Sequence, residues 1–463
     1  MMCSKMIKLI FLATLVLMAA AVAQPATLTA LYSFKGTPDG SQPYAGVTLG
    51  ANGKLYGTTY VGGANNEGTI FQLVPPATAG NPWVETVLYS FKGPDGSNPV
   101  AALSFGPSGD TGALFGTTVA GGTGPNSGGI VFELTPPAVG GETWAETVLY
   151  SFSGGGPSGH YGTGYPSGKL LVQSNGIVYG TTHGGCIVGP VLYPSAVFAL
   201  APPTAPGGGW AGSAIFSFGS GADGYCPSGG VVAYHGALYG TAYYGGDFGC
   251  GIYYGCGTAY SLSPPTVAGG TWTATLLHEF SGHSQDGQFP ATALTPGPDG
   301  VFYGTTYIGG TGAVCAIGLE GGGCGTVFQL TPPATPGGTW TETVLYSFTG
   351  VNGDGAFPAA SVVVGRNGSL YGTTKYGGSA TSGSPCTNSG GLGVSGCGTV
   401  FELTPPAAPG GAWAETVLYS FSGLNGDGAS PGDLLLSPAG LLYGTTFGGG
   451  SGGAGMVYSI APD

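Results

Sequence analysis

Three short motifs return seven times along the chain in the same order, and this repetition limits the fold more than any other feature. The segment Leu31-Tyr32-Ser33-Phe34 recurs as LYSF at Leu88, Leu149, Leu345 and Leu418, with the variants IFSF at Ile215 and LHEF at Leu277. YGTT begins at Tyr56, Tyr179, Tyr303, Tyr371 and Tyr443, with FGTT at Phe115 and YGTA at Tyr239. A third motif, of the form VFxL, begins at Ile70, Val131, Val197, Ala259, Val327, Val400 and Val457. Successive copies of the first motif start 57 to 73 residues apart. A tandem unit of this kind is one supersecondary module that buries its apolar faces against its neighbours.

Turn chemistry divides each unit into four strands. In the first full copy Pro43 opens a short apolar strand, Ala45 to Leu49, and Asn52-Gly53 supplies a two-residue turn suited to φ > 0. Asn175-Gly176, Asp299-Gly300 and Asn367-Gly368 hold the same place in later copies. The second strand, Lys54 to Tyr60, contains YGTT and ends in a Gly-Gly loop. The third, Thr69 to Val74, stops at Pro75-Pro76, which cannot continue a ladder, and the fourth runs from Trp83 to Phe91. Both faces are largely apolar, so each sheet must be covered on both sides. The expected fold is all-β: a seven-bladed propeller of four-stranded blades.

The ends of the repeat array favour a closed ring over an open stack. The last copy stops at Ile460-Ala461-Pro462-Asp463 without a fourth strand, whereas Thr27 to Phe34 is a fourth strand with no blade before it. Pairing the two closes the circle, and an open solenoid would instead need atypical capping repeats. All six Trp (Trp83, Trp144, Trp210, Trp272, Trp340 and Trp413) stand at the start of a fourth strand.

Composition agrees and removes several function classes. The chain has 97 Gly and 36 Pro, but 42 % hydrophobic, 11 % aromatic and 6 % charged residues, the reverse of a disordered profile. Eight Lys and Arg against 21 Asp and Glu give a formal charge of −13, which argues against nucleic acid and anionic membranes as partners. Lys5 and Lys8, the apolar run Leu9 to Ala20, and Ala21-Val22-Ala23 read as a signal peptide, residues 1–23, cleaved after Ala23. Residues 24–463 are then one exported propeller, extracellular or periplasmic and monomeric, with no transmembrane segment.

Cleavage would leave eight Cys, and an even number in an exported chain suggests disulfides. Cys250/Cys256, Cys315/Cys324 and Cys386/Cys397 each sit within one Gly-rich loop, and Cys186 and Cys226 pair by elimination. The alternative, metal ligation, has neither C-x-x-C spacing nor a His partner behind it.

The set LYSF, D-G-x-x-P, N-G-x-LYGTT, G-T-V-F-x-L-T-P-P and W-x-E-T-V-LYSF resembles the bacterial GloVer (choice-of-anchor) tandem-repeat family of exported proteins. The likeness runs over nearly all of residues 27–463. It implies export and a repeat β architecture, with no established activity. Many members carry a C-terminal sorting anchor, a pattern from which this chain departs.

Repeated polar residues read as structural. Asp39, Asp95, Asp223, Asp286, Asp354 and Asp427 of D-G-x-x-P offer one carboxylate per loop, too few oxygens for Ca²⁺, and suit turns that cap backbone N–H groups. Glu85, Glu146, Glu342 and Glu415 share the W-x-E-T position a blade apart, and Glu133 and Glu402 the VFxL position. All are expected to be blade-edge or inter-blade hydrogen-bonding groups. No nucleophile elbow, H-E-x-x-H or phosphate loop occurs, and no metal or cofactor is expected.

Residues that break the repeat are the better site candidates. Lys169 and Asp433 stand in first strands that are otherwise small or apolar there. His183 follows YGTT where Tyr60, Tyr243 and Tyr307 stand in other copies, and His278-Glu279 replaces Tyr-Ser, with His283 nearby. Tyr60, Tyr243, Tyr244, Tyr253, Tyr254, Tyr307 and Tyr376 crowd the loops after the second strand, where aromatic, uncharged surfaces suit a sugar ring or a flat protein face. Three functions remain: a non-catalytic propeller binding a glycan or a cell-surface protein, a carbohydrate-active lyase or hydrolase using the non-repeated residues, and a structural envelope or matrix component.

Overall fold

A computed structural model describes residues 26–462 apart from 124–126, 139–142, 155–163, 185–194, 206, 220, 222, 228, 247–254, 268, 283–285, 313–314, 316–321, 336, 380–382, 387–392 and 409. The described residues form seven four-stranded antiparallel sheets, the blades of a β-propeller, here numbered 1 to 7 in the order of their YGTT segments. Blade 1 runs Thr48–Leu49, Leu55–Thr59, Thr69–Val74 and Val84–Ser90, from inner to outer strand. Blade 7 takes Gly428–Leu436, Leu442–Gly449 and Met456–Ile460 from the end of the chain and Leu28–Ser33 from its start. Leu28 lies opposite Ile460 and Ser33 opposite Met456, so the ring closes as the orphan strand demanded.

Strand limits differ from expectation chiefly at the centre. The inner strand of blade 1 is Thr48–Leu49, and residues 45–47 leave the ladder. There the backbone turns its carbonyls to the preceding blade: the Ala45 carbonyl accepts from Thr445 Oγ1 of blade 7 at 3.0 Å. The same bond recurs from Thr58 to Ala101, Thr181 to Gly229, Thr241 to Thr292, Thr305 to Ala360 and Thr373 to Gly432, at 2.7 to 3.4 Å. The first Thr of YGTT is therefore an inter-blade donor in six copies, whereas Thr117 Oγ1 of the second copy is buried without a partner. Asn52 and Gly53 both take positive φ (58° and 74°), as their turn required.

The remaining motif letters also have partners. Phe34 meets Phe71 edge-on at 5.0 Å, and Phe91 meets Phe132 at 5.3 Å, each pair joining the Phe of LYSF to the VFxL ring of the following blade. The pattern ends with Phe421 on Tyr458 at 5.3 Å. The Gly of YGTT makes room for this ring: a Cβ on Gly57 would lie 2.5 Å from Phe71 Cζ. Each Trp stands against the aromatic that opens YGTT one blade back, as Trp144 does on Tyr56 and Trp83 on Tyr443 across the seam. Ala26, at the position a seventh Trp would hold, is buried in the cluster containing Tyr371.

Two of the expected disulfides are formed, Cys315–Cys324 and Cys386–Cys397, with Cα separations of 5.1 and 5.2 Å. Cys226 and Cys256 are buried and disulfide-bonded. Cys186 and Cys250, their expected partners, lie outside the described residues. Among the described residues no helix is long and apolar enough to cross a membrane.

The closure has a direct test. A chain starting at residue 35 lacks the strand opposite Met456–Ile460, exposing an unpaired edge. It should melt well below a chain starting at residue 24, and Thr445→Val should cost about 1 kcal/mol by removing one seam bond. Equal melting of the two chains would show that the seam carries no stability.

Candidate functional site

The inter-blade Thr bonds set the register of the channel wall. The residues that follow the accepting carbonyls are Gly46, Ala102, Gly230, Ala293, Ser361 and Asp433, and Lys169 follows Gly168, the matching position of the third copy. Five of the seven are small, so the narrow part of the channel carries one cation and one anion, on blades 3 and 7. These blades are not neighbours, yet Lys169 and Asp433 act on each other electrostatically, which places both toward the ring axis. Lys169 is open to water but walled on most sides. That enclosure pushes its ammonium pKa down, against the pull of Asp433. Burial pushes Asp433 up, although the Ser361 N–H donates to its Oδ1 at 2.9 Å and Lys169 attracts it. Among the described residues they form no ion pair within 4.0 Å.

Above this ring the side chains that follow YGTT converge. They are Tyr60, Val119, His183, Tyr243, Tyr307, Lys375 and Phe447 in blades 1 to 7. Tyr307 of blade 5 interacts with Tyr376 of blade 6 and also with Tyr44 of blade 1 across the axis. Burial first, then these neighbours, push its hydroxyl up to about 12. Tyr44 in turn interacts with Asp433 and Tyr60. Tyr243 is raised by burial, Tyr244 and Tyr307, so Tyr44, Tyr60, Tyr243, Tyr307 and Tyr376, from four blades, share one mouth. Tyr44 is 53 % exposed and stands edge-on to Phe447 at 6.0 Å.

A second repeated device supports these rings. Gln42, Asn98, Tyr165, Cys226, Phe289, Phe357 and Ser430, each just before a Pro, all have φ between 54° and 65°. For a non-glycine residue this conformation costs on the order of 1–3 kcal/mol and persists only when its surroundings impose it. Here hydrogen bonds do so on both sides: Phe357 N–H donates to Cys324 O at 2.7 Å, and Phe357 O accepts from Lys375 N–H at 3.1 Å. The imposed geometry stacks Phe289 on Tyr243 at 4.9 Å and Tyr165 on His183 at 5.8 Å, and sets Phe357 5.1 Å from Tyr307.

Of the sequence candidates, Tyr60, His183, Tyr243, Tyr307, Tyr376, Lys169 and Asp433 therefore line one channel and its mouth. Tyr244 is buried beneath them, packed on Tyr225 and Phe289. Tyr253 and Tyr254 lie outside the described residues, as does His283. Sequence reasoning missed Tyr44, Phe289, Phe357, Phe447 and Lys375. All but Tyr44 fall in two readable columns, the residue after YGTT and the residue before Pro.

The repeated acids form a different arrangement at the blade interfaces. Asp39 accepts from Tyr32 Oη, Lys35 N–H and Gly40 N–H at 2.7 to 3.0 Å, and Asp427 likewise from Tyr419 Oη, Ser422 N–H and Gly428 N–H. These are the expected capping turns. The repeated Glu stand one per blade, and the ring brings each of Glu85, Glu146, Glu342 and Glu415 close to the Asp loop that follows the preceding blade. Burial and then Asp39 push Glu85 up to about 7, and burial with Asp95 does the same to Glu146. Burial and Asp354 push Glu415 to about 7, and burial and Asp286 push Glu342 to about 8. One oxygen of each of the four is buried without a hydrogen-bond partner.

These carboxyls predict an unusual pH dependence. Each holds its proton more tightly folded than unfolded, so their contribution is complete below about pH 4.5 and declines as pH rises to about 7–8. Asp286, which burial raises but His278 and Ser281 hold low overall, titrates below that window. The melting temperature should fall between pH 5 and 8, and Gln at positions 85, 146 and 415 should flatten the fall. An unchanged slope in the triple variant would refute the assignment.

With this geometry established, relatives can be compared. No curated protein matches the chain. An ulvan lyase of polysaccharide lyase family PL25, bound to -[GlcA(1-4)Rha3S]-, is similar in fold at 10 % identity and a TM-score of 0.50, over 94 % of this chain and 95 % of that one. The polysaccharide lyase Uly1 gives 11 % and 0.49 over 93 % and 92 %. A Trichoderma reesei carbohydrate-active enzyme of family AA12 gives 12 % and 0.40 over 95 % and 98 %. At such identities the likeness extends to the fold alone. The family model described as the Gloeobacter/Verrucomicrobia repeat matches residues 17–193 and 196–386, and the chain belongs to that family.

Proposed function

We propose that this protein is an exported, non-catalytic propeller that binds a glycan at the aromatic mouth of its channel. Residues 1–23 serve as its signal peptide and residues 24–463 as one binding domain. The observation that carries the reading is the convergence of Tyr44, Tyr60, Tyr243, Tyr307 and Tyr376 around the channel that holds Lys169 and Asp433. Flat faces of this kind stack on the C–H side of a pyranose, and a cation beside an acceptor suits neighbouring sugar hydroxyls. The disulfides fit a protein folded in an oxidising compartment. The net charge of −13 favours a neutral saccharide over a polyanion. A protein of like fold that holds a saccharide, the ulvan lyase, offers a precedent for the architecture only.

One observation favours a second reading, a lyase or hydrolase. The pKa of Lys169 is lowered and that of Asp433 raised, the direction expected of an acid–base pair brought toward neutrality. Release of reducing or unsaturated sugars, abolished in Asp433→Asn, would replace the non-catalytic reading with this one.

The binding reading is tested on a glycan array with a chain beginning at residue 24. Tyr307→Ala should weaken retention of the bound saccharide about tenfold, equivalent to about 1.4 kcal/mol, with the chain still folded at the assay temperature by its melting curve. Absence of any bound glycan, or binding unaltered by alanine at both Tyr60 and Tyr307, would exclude the mouth as the site.

A further inference from the structure

The interface between blades 4 and 5 carries a His where most of its counterparts carry the Tyr of LYSF. In blades 7, 1 and 6 the Tyr of LYSF donates its hydroxyl to the linker Asp: Tyr32 to Asp39, Tyr89 to Asp95, and Tyr419 to Asp427. At the end of blade 4 that Tyr is His278, which turns Nε2 toward Asp286 Oδ1 at 3.4 Å. The third member is Glu342, from the outer strand Thr341–Ser347 of blade 5. One donor atom from each of His278, Asp286 and Glu342 lies within 4.8 Å of the others, and the three residues are partly buried.

We propose that these three side chains form a binding site for a divalent metal ion of borderline softness, with Zn²⁺ the best fit. Two geometric facts lead to it. A charge-assisted N–H···O bond closes to about 2.7–2.9 Å, so 3.4 Å is long for an ion pair free to tighten. It matches instead the edge of a tetrahedron around Zn²⁺, which bonds of about 2.0–2.2 Å put near 3.3–3.5 Å. Glu342 Oε1, like that of Glu85, Glu146 and Glu415, is buried with no hydrogen-bond partner, and here an imidazole and a second carboxylate stand within ligand reach of the same side chain. At the Tyr interfaces the His position is held by a phenol whose proton is already given to Asp. Imidazole with two carboxylates suits Zn²⁺, and also Co²⁺ or Mn²⁺, better than Ca²⁺ or Mg²⁺, which take oxygen ligands.

The metal would take Nε2 of His278, Oδ1 of Asp286 and Oε1 of Glu342, with water in the fourth position. Asp286 is already oriented for this. Ser281 N–H and Oγ donate to its Oδ2 at 2.7 and 2.8 Å, and Gly287 N–H to its Oδ1 at 2.7 Å. Such outer bonds hold a ligating carboxylate in place. Because the ligands come from the outer strand of blade 4, the linker and the outer strand of blade 5, the ion would tie two blades at the rim. The site is separate from the channel mouth and stands or falls apart from the glycan reading.

The test is a titration of the chelator-treated chain, beginning at residue 24, with Zn²⁺ by calorimetry. Co²⁺ serves as a visible-absorption probe of tetrahedral coordination. His278→Tyr restores the residue of the other interfaces and so should fold, and Glu342→Gln keeps the shape of the orphaned side chain. The expected result is one Zn²⁺ per chain, a melting temperature raised by Zn²⁺, and loss of both in each variant. No binding by the unsubstituted chain, or binding that survives either substitution, overturns the proposal.

Discussion

The contact on which the ring depends is an edge-to-face aromatic pair seated over a missing side chain. Each LYSF Phe leaves its own blade and meets the VFxL ring of the next, and that ring lies where the Cβ of the YGTT glycine would be. Such pairs are worth about 0.5–1.5 kcal/mol beyond the area they bury. More important is the spacing they impose: with centroids 5.0 to 5.3 Å apart in the pairs Phe34–Phe71, Phe91–Phe132 and Phe421–Tyr458, neighbouring sheets can approach at only one distance. The inter-blade Thr bonds then fix the height of one sheet relative to the next. Together they turn seven marginal four-stranded sheets into one ring.

This accounts for the near absence of charge. A blade interface covered on both sides solvates an ion poorly, so the recurring polar groups there are Thr hydroxyls, most with a carbonyl in reach, and carboxyls that keep their proton. Partly buried Asp occur where backbone N–H groups receive them, as at Asp39 and Asp354. Among the described residues, the non-repeating charges in the first strands are Lys169 and Asp433, which attract each other from blades 3 and 7.

Strand order, blade number and the closing strand were legible because each is written as a period or as a break in one. The Asn-Gly turns and the Pro-Pro stops mark strand ends directly, and Thr69–Val74 came out to the residue. Pairings between repeats were not legible. Glu342 and Asp286 are 56 positions apart in the chain, and only the angle between adjacent blades brings them together. The mouth was half legible: the Tyr-rich loops could be seen, but the role of the residue before Pro required its backbone conformation, which no propensity suggests for Phe289 or Phe357.

The seam has a further meaning for how such chains change length. The repeat in the sequence is out of phase with the blade in space, because the first strand of the chain belongs to the last blade. A duplication or loss of one repeat unit anywhere inside the chain therefore leaves the same two strands to meet at the join. The copied unit carries its own Phe, Gly, Thr and Trp, and its neighbours receive it through contacts identical to those they already make. Gene-level copying can thus widen or narrow the pore by whole blades while the lock stays unaltered, and the residues that distinguish one copy from another, Lys169, His278 and Asp433 among them, become free to diverge.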